Sequence, residues 1–155
     1  MKLFDAHHHL WDLGAVDYVW LKQHGVPKPF GDPTPIQKDY LPQHFLDDMS
    51  WVEDLDLEGS AHIQVDGALA DPVSETKWLS KLSKSGIPSV IVGFVDLTKE
   101  DAESVLRNHL SFGEFRGVRQ IIGLLEKRPD LPLQKNTCLE IAAGGKTLLY
   151  LVSTI

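Results

Sequence analysis

Beyond residue 60, hydrophobic positions alternate between the rhythm of a strand and the rhythm of a helix. Ala61-His62-Ile63-Gln64-Val65 predicts a short strand, with Ile63 and Val65 on one face and His62 and Gln64 on the other. Asp71-Pro72 opens a helix, Asp71 as N-cap and Pro72 as first helical residue, with Glu75 in the first turn near the helix dipole. Trp78, Leu79 and Leu82 form its apolar stripe, and Gly86 with Pro88 stops it. Ser89 to Val95 is nearly all apolar, as in a strand buried on both faces of a parallel sheet. Thr98 followed by Asp101 fits a capping box, and Ala102, Val105, Leu106 and Leu110 give a helical face that Gly113 ends. Phe115 to Ile122 is the next strand, placing Arg116 and Arg119 on opposite faces.

The first 60 residues are less regular. Met1 to Phe4 leads into a strand on which Asp5, His7 and His9 share a face. Residues 13–40 hold Gly14, Gly25, Pro27, Pro29, Gly31, Pro33 and Pro35, too dense a set for helix or central strand. The same stretch carries Tyr18, Trp20, Phe30 and Tyr40, so it reads as an ordered loop. Its aromatic residues either wall the site begun at His7 or simply pin the loop down. Leu41 to Leu57 predicts a helix through Phe45, Met49 and Val52, joined by Trp51 and Leu55, although Leu41-Pro42 also suits an extended lead-in.

The later strands begin near residues 61, 88 and 115, a step of about 27 that signals an α/β parallel sheet with right-handed crossovers. An open doubly wound sheet and a (β/α)8 barrel both fit. No Gly-x-Gly-x-x-Gly follows the first strand, against dinucleotide binding. Gly145-Lys146-Thr147 resembles the end of a phosphate-binding loop, but Glu140 stands where the first glycine is required. His7, His9, Gln64 and Arg119 fall toward the C-terminal ends of strands, where both architectures place their sites.

Composition narrows the partners. The 155 residues suit one domain, with 43% hydrophobic and 24% charged residues. A net charge of -7 without a basic stripe argues against nucleic acid. No apolar run approaches the roughly 20 residues of a membrane span, and no signal peptide precedes Asp5. Cys138 is the single cysteine, read as an ordinary thiol in a reducing, cytoplasmic setting.

The candidate chemistry is the histidine run. His7 and His9, two apart on one strand, can grip a divalent metal from one side, and neutral imidazole suits zinc. The alternatives are a tag remnant and a polar strand end without ligand role.

Four segments in order, Phe4-Asp5-Ala6-His7-His8-His9-Leu10-Trp11-Asp12, His62-Ile63-Gln64, Val92 to Leu97 and Phe115-Arg116-Gly117-Val118-Arg119-Gln120, resemble the amidohydrolase-related family. More closely they resemble its branch of 2-pyrone-4,6-dicarboxylate and sugar-lactone hydrolases, over residues 2–123. The resemblance implies a (β/α)8 TIM barrel and hydrolysis of a small-molecule lactone, ester or amide. It implies His7 and His9 as catalytic residues and as ligands of zinc or manganese; some members of the branch work without metal, so a metal-free route stays open. Arg119 matches a position for a substrate carboxylate, the alternative being an ion pair inside the barrel. Gln64 either donates to a carbonyl or holds the loop, and Trp11 and Trp20 either wall the site or pack in the core.

A complete barrel takes roughly 250 residues, so residues 1–123 correspond to about the first four βα units. Residues 124–155 are a divergent tail, a genuine isoform end or a gene-model artefact. A His-Gly-x-Pro motif expected around strand 6 and a Gly-Ser-Asp motif expected on strand 8 are not in it. Half a barrel leaves two strand edges open and invites self-association, with the apolar segment Leu148 to Ile155 suited to cover one edge as a strand. The alternative function is therefore a truncated, catalytically incompetent isoform acting by association. A third is a small metal-binding module built on the histidines.

Overall fold

A computed structural model describes residues 1–28, 31–65, 67, 69–121 and 149–153. Five parallel strands form one sheet in sequence order: β1 (Lys2–His8), β2 (Asp56–Ile63), β3 (Val90–Gly93), β4 (Phe115–Ile121) and β5 (Leu149–Ser153). Helix α2 (Pro42–Met49) lies between β1 and β2 in sequence, α3 (Ser74–Leu82) between β2 and β3, and α4 (Ala102–His109) between β3 and β4. Strand order never reverses among the described strands, whereas a doubly wound sheet turns back on itself at a switch point. The fold is thus α/β with a parallel sheet, as the hydrophobic rhythm predicts.

Each helix buries the face its sequence marks. In α4, Ala102, Leu106 and His109 are buried at i, i+4 and i+7. Ala102 and Leu106 pack with Val95, Leu97, Phe115 and Val118. Leu10, Phe45, Leu79, Ile87 and Ile91 make a second core, joining β3, α2, α3 and the residue after the histidines. In α2, Pro42 takes the first position and the His44 ring accepts the Leu41 N–H at 2.9 Å. The turn Ser83–Ser85 that follows α3 ends at Gly86, whose φ of 98° needs glycine.

Several boundaries differ from the sequence expectation. Trp51 and Val52 are exposed, and α2 stops at Met49, so the helix expected to Leu57 is cut short. The residues released form the early half of β2, which starts at Asp56 rather than 61 because Lys2 and Leu3 pair with Asp56 and Leu57. Strand starts at 56, 90 and 115 replace the even step of 27. His62, Ile63 and Gln64 are all buried, so both faces of this strand end are covered. Helix α3 starts at Ser74 with Val73 at the cap; the Asp71 carboxylate instead accepts the Val73 N–H in a turn. Thr98 bonds back to Asp96 and caps nothing, leaving Asp101 at the cap of α4. Strand β3 keeps only Val90–Gly93 of the run 89–95.

The described residues between 13 and 40 form an excursion with its own buried cluster, as their aromatic content suggests. It contains a short helix, α1 (Val19–Lys22), and its ends are tied by two bonds, Trp11 N–H to Tyr40 O at 3.0 Å and Tyr40 N–H to Trp11 O at 2.9 Å. Val16, Tyr18 and Leu21 are buried beneath it. Phe30 lies outside the described residues. So does most of the tail 124–155, including Cys138 and Gly145 to Thr147, but the expected terminal strand is present: β5 runs along β4 from the Gly117–Leu149 pair to the Ile121–Ser153 pair.

Candidate functional site

The site begins with an irregularity in β1. Asp5 pairs with Ser60 and His8 with His62, three steps along β1 against two along β2. The extra residue is a bulge, and it re-aims the side chains that follow. His7 is exposed, His8 buried and His9 half-buried. The Asp5 carboxylate accepts the His7 backbone N–H at 2.8 Å and braces the bulge.

The structure brings His7 and His9 together as the spacing predicts. Their Nε2 atoms are 3.3 Å apart, with ring planes at 82°. His9 Nδ1–H donates to the Ile63 carbonyl at 2.7 Å, which leaves Nε2 as the lone-pair side and lets His7 Nε2–H donate to it. Burial pulls the His9 pKa down to about 4 against the favourable Ile63 bond, and His62, His7 and Arg119 push the same way. His9 is therefore a neutral imidazole at pH 7, the form that binds metal or accepts a proton.

Arg119, on β4, is half-buried and donates from Nη1 to the Gln64 carbonyl at 3.3 Å; burial lowers its pKa. Its charge is felt at His9, so both groups belong to one polar region. Gln64 is buried just past β2, with its backbone N–H on Val92 O at 2.8 Å and its side-chain Oε1 without a partner among the described residues. Trp20 packs half-buried, with Trp11, against the Val16, Tyr18 and Leu21 cluster.

Sequence reasoning missed the part played by three residues near this pair, His8, His62 and Glu75. His8 stacks on Phe45 at 4.5 Å between centroids, and neither ring nitrogen has a partner among the described residues. Burial pulls its pKa down to about 4, helped by His62. His62, fully buried, accepts the Leu10 N–H on Nδ1 at 3.1 Å and places Nε2 3.4 Å from Glu75 Oε1. Glu75 is buried in the first turn of α3 and accepts the Tyr18 hydroxyl and the Val65 N–H, each at 3.0 Å. Burial pushes the Glu75 carboxyl up to about 7 and the His62 imidazole down to about 3, so His62 is uncharged at neutral pH and the contact is not an ion pair. The 3.4 Å approach is not a hydrogen bond, and His62 Nε2 has no hydrogen-bond partner among the described residues. One signal did exist: Glu75 stands four residues before Leu79 and seven before Leu82, on the apolar stripe itself.

Among the described residues, no group of three or more His, Cys, Asp or Glu side chains converges on a point that could hold a metal ion. The His7–His9 pair supplies two donors. No helix among the described residues is long and apolar enough to cross a membrane.

No family model matches the chain. A protein of Sinorhizobium fredii described as uncharacterized protein y4mH is 40% identical over 121 residues, covering 77% of this chain and 40% of that protein. The chain thus spans about two-fifths of the length of this curated relative. No solved structure matches.

Proposed function

We propose that this chain supplies the opening strands of a (β/α)8-barrel hydrolase of the amidohydrolase-related type, acting on a small carboxylated lactone or a related cyclic ester or amide. The observation that carries the reading is the 3.3 Å gap between His7 Nε2 and His9 Nε2. Two imidazoles sharing one tetrahedral zinc at about 2.0–2.1 Å stand about 3.3–3.4 Å apart, so the pair fits two ligand positions with little movement. The unreversed parallel strand order supports the barrel.

In this reading His9 and His7 hold a zinc or manganese ion, the Ile63 carbonyl fixing the His9 tautomer. Such an ion would acidify a bound water and polarise a carbonyl. Arg119 has donors to spare beyond the bond to Gln64 O and faces the substrate carboxylate. A cytoplasmic location and a small-molecule substrate belong to the same reading.

The test titrates zinc and manganese into this chain and into the longer Sinorhizobium relative, then follows lactone opening in both. Zinc binding that is lost in H7A and H9A, with ring opening in the longer protein, is the expected outcome. No binding and no turnover in either protein, with or without metal, would sink the reading.

A second reading has its own observation: among the described residues the outer edge of β1 pairs with no strand. In it the chain is catalytically incompetent and acts by association. Light scattering showing a monomer at all concentrations would remove it.

A further inference from the structure

We propose that Glu75 is a positioning residue that sets the orientation of both His9 and Arg119 by gripping the four-residue segment from His62 to Val65. The segment is hydrogen-bonded to the Glu75 carboxyl at its Val65 end, and the His62 ring lies against that carboxyl at the other. Glu75 Oε1 accepts the Val65 N–H at 3.0 Å and faces His62 Nε2 at 3.4 Å. The two carbonyls between those ends are the ones that orient the site: Ile63 O receives His9 Nδ1–H at 2.7 Å, and Gln64 O receives Arg119 Nη1–H at 3.3 Å. The same carboxyl reaches β1 through His62, whose Nδ1 accepts the N–H of Leu10, the residue after His9. Tyr18 Oη–H donates to the same oxygen at 3.0 Å and ties in the loop. The Leu10 N–H fixes the His62 tautomer, and one buried oxygen on α3 braces the end of β2 and the loop beside that ring.

The geometry makes a specific demand on two rings. His62 must carry its proton on Nε2 and His9 must carry its proton on Nδ1. A glutamine at 75 can keep its oxygen on the two donors, the Tyr18 hydroxyl and the Val65 N–H. A leucine fills the space and supplies no acceptor.

The experiment records histidine ring nitrogens by NMR in the full chain and titrates zinc into the same samples. The metal arm rests on the proposed function; the tautomer arm does not. In the wild type and in E75Q, His62 should report the Nε2–H form and His9 the Nδ1–H form. In E75L, His9 should lose its Nδ1–H signature and zinc affinity should fall about tenfold, the size of effect typical for a residue that orients a ligand. Y18F removes one donor to Glu75 at nearly constant volume, and the same loss at His9 should appear at smaller amplitude; it stands in if E75L does not fold. An unchanged His9 signature in folded E75L or in Y18F overturns the proposal, as does a wild-type His62 protonated on Nδ1. Absence of zinc binding in a wild type with the expected tautomers overturns the metal reading alone.

Discussion

Two buried histidines, one on a strand and one on a helix, show how differently the same side chain can be used. His109, on α4, is fully satisfied: Nδ1 meets Thr76 Oγ1 at 3.0 Å, Nε2–H donates to Phe94 O at 3.0 Å, and the ring stacks on Phe115 at 4.9 Å. His8, on β1, stacks on Phe45 but leaves both ring nitrogens without partners among the described residues. Burial lowers both pKa values to about 4, so titration does not tell them apart. Hydrogen bonding does. A satisfied polar ring is part of the scaffold, whereas orphaned polar atoms gather where structure is held for some other purpose. Four of the six such atoms among the described residues, His8 Nδ1 and Nε2, His62 Nε2 and Gln64 Oε1, belong to residues beside the His7–His9 pair; Ser60 Oγ and Gln37 Oε1 are the other two, and no atom of His109 is among them.

The same substitution at the two positions should break this symmetry most sharply. H109L strands the Phe94 carbonyl and the Thr76 hydroxyl and should cost about 2–4 kcal/mol in urea unfolding. H8L removes two unpaired nitrogens from an apolar contact and should stabilise by roughly 1 kcal/mol. Equal losses at both positions would erase the distinction.

Packing under β3 gives a smaller, related effect. A Cβ on Gly93 would sit 2.8 Å from His109 Cε1 and 3.0 Å from Thr76 Oγ1. G93A should therefore cost about 1–3 kcal/mol, and most of that cost should vanish in the H109L background, which a double-mutant cycle would measure.

The pH dependence sharpens the comparison further. The unfolded chain protonates His109 from about pH 6.5 downward, while the folded protein resists until about pH 4. Stability from this group is complete above 6.5 and drains away as pH falls through 4. Glu75 works in reverse: its folded pKa of about 7 stands above the unfolded 4.5, so its contribution is complete below 4.5 and is lost as pH rises through 7. H109L should flatten the acid limb of a stability profile, and E75Q the limb between 4.5 and 7. Profiles identical to wild type would show that neither group carries the linkage.

Part of the sheet was legible because a strand buried on both faces announces itself, as Ile91-Val92 does. The meeting of His7 and His9 was legible because period two survives the bulge at that pair. The bulge itself was not, since nothing in Asp5-Ala6-His7-His8 marks which residue loses its partner. The early half of β2 was hidden because Asp56-Leu57-Glu58-Gly59 offers one apolar residue in four. Glu75 was misread because an acid in a first turn has an ordinary explanation at the helix dipole, which masks its burial. His62 was given no role of its own because it was read as one face of an alternating strand, and alternation fails where both faces are covered.

The Trp11–Tyr40 clasp has a practical corollary. Because the excursion is stapled at its root, immediately beyond His9, covalent continuity at its tip does little to keep that ring in place. His24, Gly25 and Val26 are exposed there. A nick, a graft or a reporter group inserted at that tip leaves the root closed and the imidazoles where they were.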